Sequence, residues 1–425
     1  MTEFFFTSLR NIVFIFVVAM WLKYFLFLLI SPFYPIQEHL RYIRATKKRQ
    51  AEGLPEKFEP KLSVVVPAWN EEVGILKTIG SLVGNGYSNL EVVVVNDGST
   101  DNSDKITRDF IKEFEKLNPK RKGMIRYIYQ PNGGKGKALN NGILHATGEI
   151  ILTMDADSAI EQGGLEKLVQ YYRDPEIMCV VGNVRVGNTS TVVGLMQHLE
   201  YYFGFYFKRA YAMMGAEYIF GGACASFRKS VFDTIGLFDT ENKTEDIEMS
   251  MRTRYAGYKC TYAEDVITYT EGASNVMGLV NQRIRWKKGR FDTFWKYRHM
   301  FFSASDKHNA FLSFFVLPYA MLSELQLLLE PIAISVLLGY SVITGDYLSL
   351  TIGLFFIFQI YLVTAFFHGT WPNWLILLSF PFTWTLFYFL IWIEFLSLYK
   401  SITMSFQGTD ITWQKWERKG IGESV

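Results

Sequence analysis

Four groups of polar residues follow one another along the middle of this chain: Asp97, Asp155-Ala156-Asp157, Thr244-Glu245-Asp246 and Gln282-Arg283-Ile284-Arg285-Trp286. Asp155 and Asp157 are separated by one small residue, so a turn can aim both carboxylates at a shared divalent cation. All-oxygen ligation suits Mg2+ or Mn2+, and such a cation in turn suits a diphosphate. Asp246, with Glu245 in support, is placed to take a proton from an attacking hydroxyl. Gln282, Arg285 and Trp286 stand at i, i+3 and i+4, so one helix face would show an amide, a guanidinium and an indole.

Each group has a plainer reading. Asp97-Gly98 is also an ordinary turn. Asp157 and Thr244 could be helix caps, and Arg283, Arg285, Lys287, Lys288 and Arg290 could form a basic cluster facing lipid. A glycine-rich loop, Asn132-Gly133-Gly134-Lys135-Gly136-Lys137, opens a helix whose amino end can receive an anion. It lacks the spacing and terminal Ser/Thr of a Walker loop.

The elements that must hold these residues are readable around them. Leu62–Pro67 and Leu90–Val95 are short β-branched runs, as expected of strands buried on both faces of a parallel sheet. Helical patterns follow each: Asn70-Glu71-Glu72 leads into Ile75, Ile79 and Leu82, and Ser103–Leu117 repeats the theme. The alternation continues through 125–129, 137–146 and 149–154, predicting a doubly wound α/β domain. Asp97 and Asp155 then sit at carboxyl ends of strands, where such sheets bind ligands.

The flanks differ in kind. Hydrophobic residues make up 49% of the 425, and the 36 Phe concentrate before residue 36 and after residue 308. Ile12–Ile30 matches the ~20 residues a membrane helix needs and has no small-residue cleavage site, predicting an uncleaved anchor. Leu325–Ile343, Tyr347–Phe367 and Trp374–Leu398 are further spanning candidates, preceded by an interfacial Ala310–Leu322 broken at Pro318. Glu324, Glu330 and Glu394 are costly in lipid and should face protein, water or headgroups. Trp371, Trp374, Trp384 and Trp392 fit interfacial belts in part. Basic residues at 41–49 and 400–419 favour the cytoplasmic side, yet three crossings after the middle domain would leave the tail outside.

The net charge of +2 gives no case for nucleic acid. Cys179, Cys224 and Cys260 show neither disulfide nor zinc spacing and read as buried thiols.

The ordered set of motifs resembles the family 2 inverting glycosyltransferases, in particular the membrane-embedded processive branch of cellulose, chitin, hyaluronan and poly-N-acetylglucosamine synthases. The resemblance runs over roughly residues 62–290 and extends to the arrangement of membrane flanks. It implies a GT-A domain with a mixed, mostly parallel sheet at residues 61–300. An anchor at 1–40, a basic linker at 41–60, membrane helices at 301–400 and a cytoplasmic tail at 401–425 complete the expected organisation.

Residue by residue, Pro67, Glu71 and Asp97 resemble uridine-binding elements, and Lys135 resembles the lysine that follows them. Asp155 and Asp157 resemble the metal-binding DxD pair. Gly222 and Cys224 resemble the loop that cradles the acceptor. The resemblance makes Asp246 the base, sets Gln282 and Arg285 on the donor diphosphate and stacks Trp286 on the acceptor end.

Asn96 stands where an acid often precedes the Asp97 equivalent, and no FxVTxK-like segment follows the membrane region. Both departures favour the poly-N-acetylglucosamine type over cellulose synthases. The tail Trp413–Arg418 resembles those of bacterial exopolysaccharide synthases. The expected activity is transfer of N-acetylglucosamine from a UDP-sugar to a β-linked exopolysaccharide at the plasma membrane, with membrane lipid and an accessory subunit as further partners. The alternatives are a non-processive enzyme making a glycolipid and, more remotely, a non-catalytic sugar-nucleotide sensor.

Overall fold

The computed structural model describes residues 2–242, 244–367, 374–407 and 418–421. The chain opens with helices α1 (Thr2–Ile30) and α2 (Tyr34–Ala51), separated by a short turn carrying Pro32. It then alternates: β1 (Leu62–Ala68), α3 (Ile75–Val83), β2 (Leu90–Asp97), α4 (Ser103–Leu117), β3 (Ile125–Gln130), α5 (Lys135–His145) and β4 (Ile150–Thr153). The second half of the domain is β5 (Ser158–Ile160), α6 (Gly164–Gln170), β6 (Ile177–Val186), α7 (Val192–Met213), β7 (Ala225–Arg228), α8 (Lys229–Ile235), α9 (Glu245–Tyr255), β8 (Lys259–Thr270) and α10 (Val276–Lys296). Three long helices follow: α11 (Leu317–Thr344), α12 (Leu348–Phe367) and α13 (Trp374–Gln407).

The eight strands form one sheet in the order β3-β2-β1-β4-β7-β6-β8-β5. β1 pairs in parallel with β2 and β4, with Leu62 opposite both Leu90 and Ile150. β7 enters antiparallel between β4 and β6, and β5 closes the far edge antiparallel to β8. The sheet is therefore mixed and mostly parallel, as the motif order implied.

The pleat divides each valine run between two cores. Val64, Val66, Val92 and Val94 join Ile150 and Leu152 on one face. Val65, Val93, Val95 and Ile151 face the other layer with Leu139 and Ile143 of α5. Because successive side chains point to opposite faces, a strand with helices on both sides must be apolar at every position. Burying each such side chain contributes about 1.5–3 kcal/mol. Gly142 lets α5 lie flush on the sheet, since a Cβ there would come within 2.3 Å of Val65 Cγ1.

Pro318 does not break the chain as expected. Leu312–Val316 forms a π-helical turn that runs straight into α11, and this widened turn just before Pro318 accommodates the proline ring and its missing N–H without ending the helix. The result is a continuous 33-residue helix, Leu312–Thr344. It is one of three described helices long and apolar enough to cross a membrane, the others lying at Leu348–Phe367 and Phe380–Met404.

These helices dock on the sheet domain through α7 and α10. Leu199, Tyr202 and Phe203 of α7 pack on Tyr361 and Ala365 of α12. On α10, Arg283 pairs with Glu394 at 3.0 Å and Lys287 reaches Glu324 at 2.8 Å and Glu394 at 3.0 Å. Glu324 and Glu394 thus face protein, and most of the basic cluster on α10 is spent holding them instead of facing lipid. Trp371 and the tail residues Trp413–Glu417 lie outside the described residues.

Candidate active site

The site lies where β1, β2 and β4 deliver their carboxyl ends, and the first loop there is pinned by Asp97. Its two oxygens accept from the backbone N–H groups of Gly133 at 2.9 Å and Gly134 at 2.8 Å, and Gln130 Nε2 donates to it at 2.7 Å. Asp97 is buried, so it acts on the glycine-rich loop that precedes Lys135. Gly134 has φ +89°, a conformation glycine alone adopts freely, and it is the N-cap of α5.

That loop sets Lys135 at the start of α5 with its Nζ 2.6 Å from Asp155 and 3.2 Å from Glu245. Burial opposes the ammonium charge, yet Asp155, Glu245 and Asp246 hold it well above the usual lysine range. Glu245 and Asp246 open α9, and Asp246 Oδ2 accepts from the Gly222 backbone N–H at 3.1 Å. Gly222 has no room for a side chain: a Cβ would lie 2.7 Å from Lys135 Nζ and 3.5 Å from Asp246 Oδ2. Four elements thereby converge on one charged cluster.

Within that cluster Asp246 is tuned. Burial, then the neighbouring Glu245, raise its pKa to about 6, while Lys135 and Arg285 pull the other way. The carboxyl is mostly ionised near neutrality and still basic enough to accept a proton. Its position is fixed from behind by α10, where Gly289 abuts Thr244 so closely that a Cβ would come within 2.0 Å of Thr244 Oγ1.

The same helix carries Gln282, which is buried, and Arg285, whose charge reaches Asp246. The Arg283 guanidinium sits 4.4 Å from the Trp286 ring centroid and also pairs with Glu200 and Glu394. Arg283 thus orients the indole and ties the site to α7 and α13.

The carboxylates of Asp155 and Asp157 do not share one partner. Asp155 meets Lys135, whereas Asp157 accepts from Thr270 Oγ1 at 3.3 Å and pairs with Arg418 at 2.7 Å. Arg418 also pairs with Glu71 at 3.0 Å. Glu71 follows Asn70, whose backbone bonds Ser99 Oγ at 2.9 Å and whose φ is +55°, so the loops after β1 and β2 are latched together.

Among the described residues, no group of three or more His, Cys, Asp or Glu forms a ready metal cage. The donor chemistry nonetheless fits a divalent cation. Asp157 and Glu71 already draw a guanidinium between them, and further oxygens would come from a diphosphate. Asp157 and Asp155 remain the residues that would hold it.

Two of the expected site residues turn their side chains inward. Cys224 lies in the core beside Gly182, with burial pushing its thiol up to about 11, so it is the loop's backbone and not this side chain that faces the site. Pro67 is buried inside β1 opposite Val95, so it shapes the strand end without presenting a side chain. Arg418, Lys419 and Glu271 were not singled out as site residues. The basic tail was the only available signal, and sequence alone did not say on which side of the membrane it lies.

A cavity of about 640 Å³ lies at the amino-terminal ends of β6 and β8, lined in part by Arg41, Arg44, Arg254 and Lys259. It contains none of the residues above.

Comparison with known proteins agrees with this geometry. A likeness to the mannosyltransferase from Pyrobaculum calidifontis, solved in complex with GDP-Man and Mn2+, covers 94% of this chain and 100% of that one at TM-score 0.58 and 21% identity. That likeness shows a GT-A-type fold. Residues 63–236 match the Glycosyl transferase family 2 profile, and residues 150–402 match Glycosyl transferase family group 2. The chain belongs to this glycosyltransferase family and is an enzyme of that class.

Its relatives include the poly-beta-1,6-N-acetyl-D-glucosamine synthase of Staphylococcus epidermidis, 29% identical over 232 residues. The synthase of Staphylococcus aureus strain COL is 30% identical over 231 residues. Each match covers 54% of this chain and 54% of the relative, so the chain spans about half the length of the curated relatives it matches.

Proposed function

We propose that this chain is a membrane-bound inverting glycosyltransferase that adds N-acetylglucosamine from its UDP derivative to a growing β-linked exopolysaccharide and helps extrude it. The observation that carries this reading is the Asp246 carboxylate. It is buried, raised to about 6, held by the Gly222 N–H, and surrounded by Lys135, Asp155, Glu245 and Arg285. The relatives' printed activity supports the choice of sugar and product.

Asp246 takes the proton of the acceptor hydroxyl as its oxygen attacks the anomeric carbon. The C–O bond to UDP breaks with its electron pair leaving on the diphosphate, which inverts the configuration. Gln282 and Arg285 stand on the donor side, where a guanidinium stabilises the departing charge. Trp286, steadied by Arg283, offers the acceptor an aromatic face. A divalent cation at Asp157 and Asp155 would neutralise charge on the leaving diphosphate.

The catalytic domain, residues 61–300, is assigned to the cytoplasmic face with the tail beside it. The contacts of Arg418 with Asp157 and Glu71 support domain and tail on one side of the membrane, which means that of the three helices long enough to cross an even number does so completely. The basic residues at 41–49 and in the tail favour the cytoplasmic side.

The test is to incubate membranes carrying the full chain with Mn2+ or Mg2+ and a panel of UDP-sugars, then size the product. A polymer of N-acetylglucosamine is expected. A glycolipid of one or two sugars, or UDP-sugar binding without turnover, would overturn the processive reading.

A further inference from the structure

The described end of the tail is seated in the donor site. Arg418 Nη1 lies 2.7 Å from Asp157 Oδ2 and Nη2 lies 3.0 Å from Glu71 Oε1, with the Arg418 side chain only 13% exposed. The Lys419 backbone N–H donates to Glu271 Oε1 at 2.6 Å, and Lys77 Nζ donates to the Ile421 carbonyl at 3.2 Å. Ile421 fills the space above Gly187, where a Cβ would meet its Cγ2 at 2.2 Å. Gly420, at φ +79°, provides the turn between these anchors. Four residues thus bridge the loop after β1, the Asp155–Asp157 turn and the ends of β6 and β8.

The structure assigns Arg418 a place in the donor site as the protein's own counter-cation, occupying the Asp157 carboxylate that a divalent cation would take during turnover and the neighbouring Glu71. This rests on the donor-site reading above. The chemistry forces a choice. Asp157 Oδ2 is committed to a guanidinium at ion-pair distance, and a metal bound to that oxygen would set two cations against each other in a buried place. Conversely, Asp157 and Glu71 left with neither cation would be two uncompensated, largely buried carboxylates. The site therefore exchanges one positive partner for another, and the tail leaves the Asp157 carboxylate when the metal arrives.

Two ligands that exclude each other follow population arithmetic: a competing seated state reduces the apparent affinity of the other in proportion to the fraction still open. Unseating the tail should therefore tighten metal binding. It should also free residues 418–421 whenever metal and nucleotide bind.

The full chain in detergent is titrated with Mn2+, following free Mn2+ by electron paramagnetic resonance, and is separately digested with trypsin with and without Mn2+ plus UDP. Arg418→Ala removes the cation, and Ile421→Asp unseats the segment while leaving Arg418 in place. Both variants are expected to bind Mn2+ about tenfold more tightly than the unaltered chain. Mn2+ plus UDP should speed cleavage after Arg418 in the unaltered chain severalfold.

Unchanged Mn2+ affinity in both variants, or cleavage indifferent to Mn2+ and UDP, overturns the proposal. So does an Arg418→Ala chain that loses UDP affinity at constant Mn2+ affinity, which would make Arg418 a fixed donor contact. Because no sugar is transferred in either assay, a wrong assignment of polymer or sugar leaves these readouts intact.

Discussion

The Asp155-Ala156-Asp157 turn faces two regions that neutralise charge differently. On the Asp155 side the cation is Lys135, fixed at the first residue of α5 by a loop that the Asp97 carboxylate holds through two backbone N–H groups. On the Asp157 side it is Arg418, brought from the end of the chain by a short segment with few anchors. The first region is preorganised and can present Asp246 in one geometry without rearranging, which is what electrostatic catalysis requires. The second is built to exchange its cation, which suits a place where a nucleotide must enter and leave at every turnover.

The comparison is broken most severely by Asp246→Asn. It keeps the shape of the rigid region and removes its proton acceptor, so transfer should fall by at least about 10³-fold. UDP and Mn2+ binding, measured by equilibrium titration, should persist.

Next in size is Gly289→Ala, which touches no substrate. The new Cβ must push Thr244 and with it the start of α9, a displacement expected to cost about 10²-fold in kcat. It should also cost about 1–3 kcal/mol in stability through overpacking. Product assays and thermal unfolding in detergent read the two effects.

Glu394→Leu acts from further away. It strips Arg283 and Lys287 of a shared partner, but Arg283 keeps Glu200 and Lys287 keeps Glu324, so the cost should stay below the roughly 3–5 kcal/mol of a buried charge left unpaired. The expected outcome is a clear drop in Tm. A smaller loss of activity should follow, because Arg283 also supports the Trp286 ring.

Much of the rigid region was legible because its cause is local. Valine runs such as Val92–Val95 have to be buried strands, their ends have to carry turn residues, and the order of acidic motifs places Asp97 and Asp155 at those ends. The exchangeable region was not legible, since its partners are separated by 347 residues between Glu71 and Arg418 and meet only through the fold. The insertion of β7 between β4 and β6 is hidden for the same reason.

Pro318 misled because a proline within an apolar run signals a break, whereas a π-helical turn directly before it lets the helix continue. For Cys224 the resemblance named a loop but not a side-chain direction, and its place just before β7 takes the thiol inward. Glu324 and Glu394 were flagged as needing partners, but only the structure supplies them from α10.

The claim that Asp246 is the base, set by its neighbours, is tested most directly by the pH dependence of kcat/KM, which reports the free enzyme's base. With a folded pKa of about 6, above the ordinary value of 3.8, the carboxyl is protonated and inactive below that point and ionised above it. The logarithm of kcat/KM should therefore be flat above pH 7 and fall tenfold per pH unit below about 6. Lys135→Met, which removes a cation that lowers this pKa, should move the bend to higher pH. A kcat/KM that stays flat from pH 5 to pH 8, or a bend that does not move when Lys135 is replaced, would contradict the assignment.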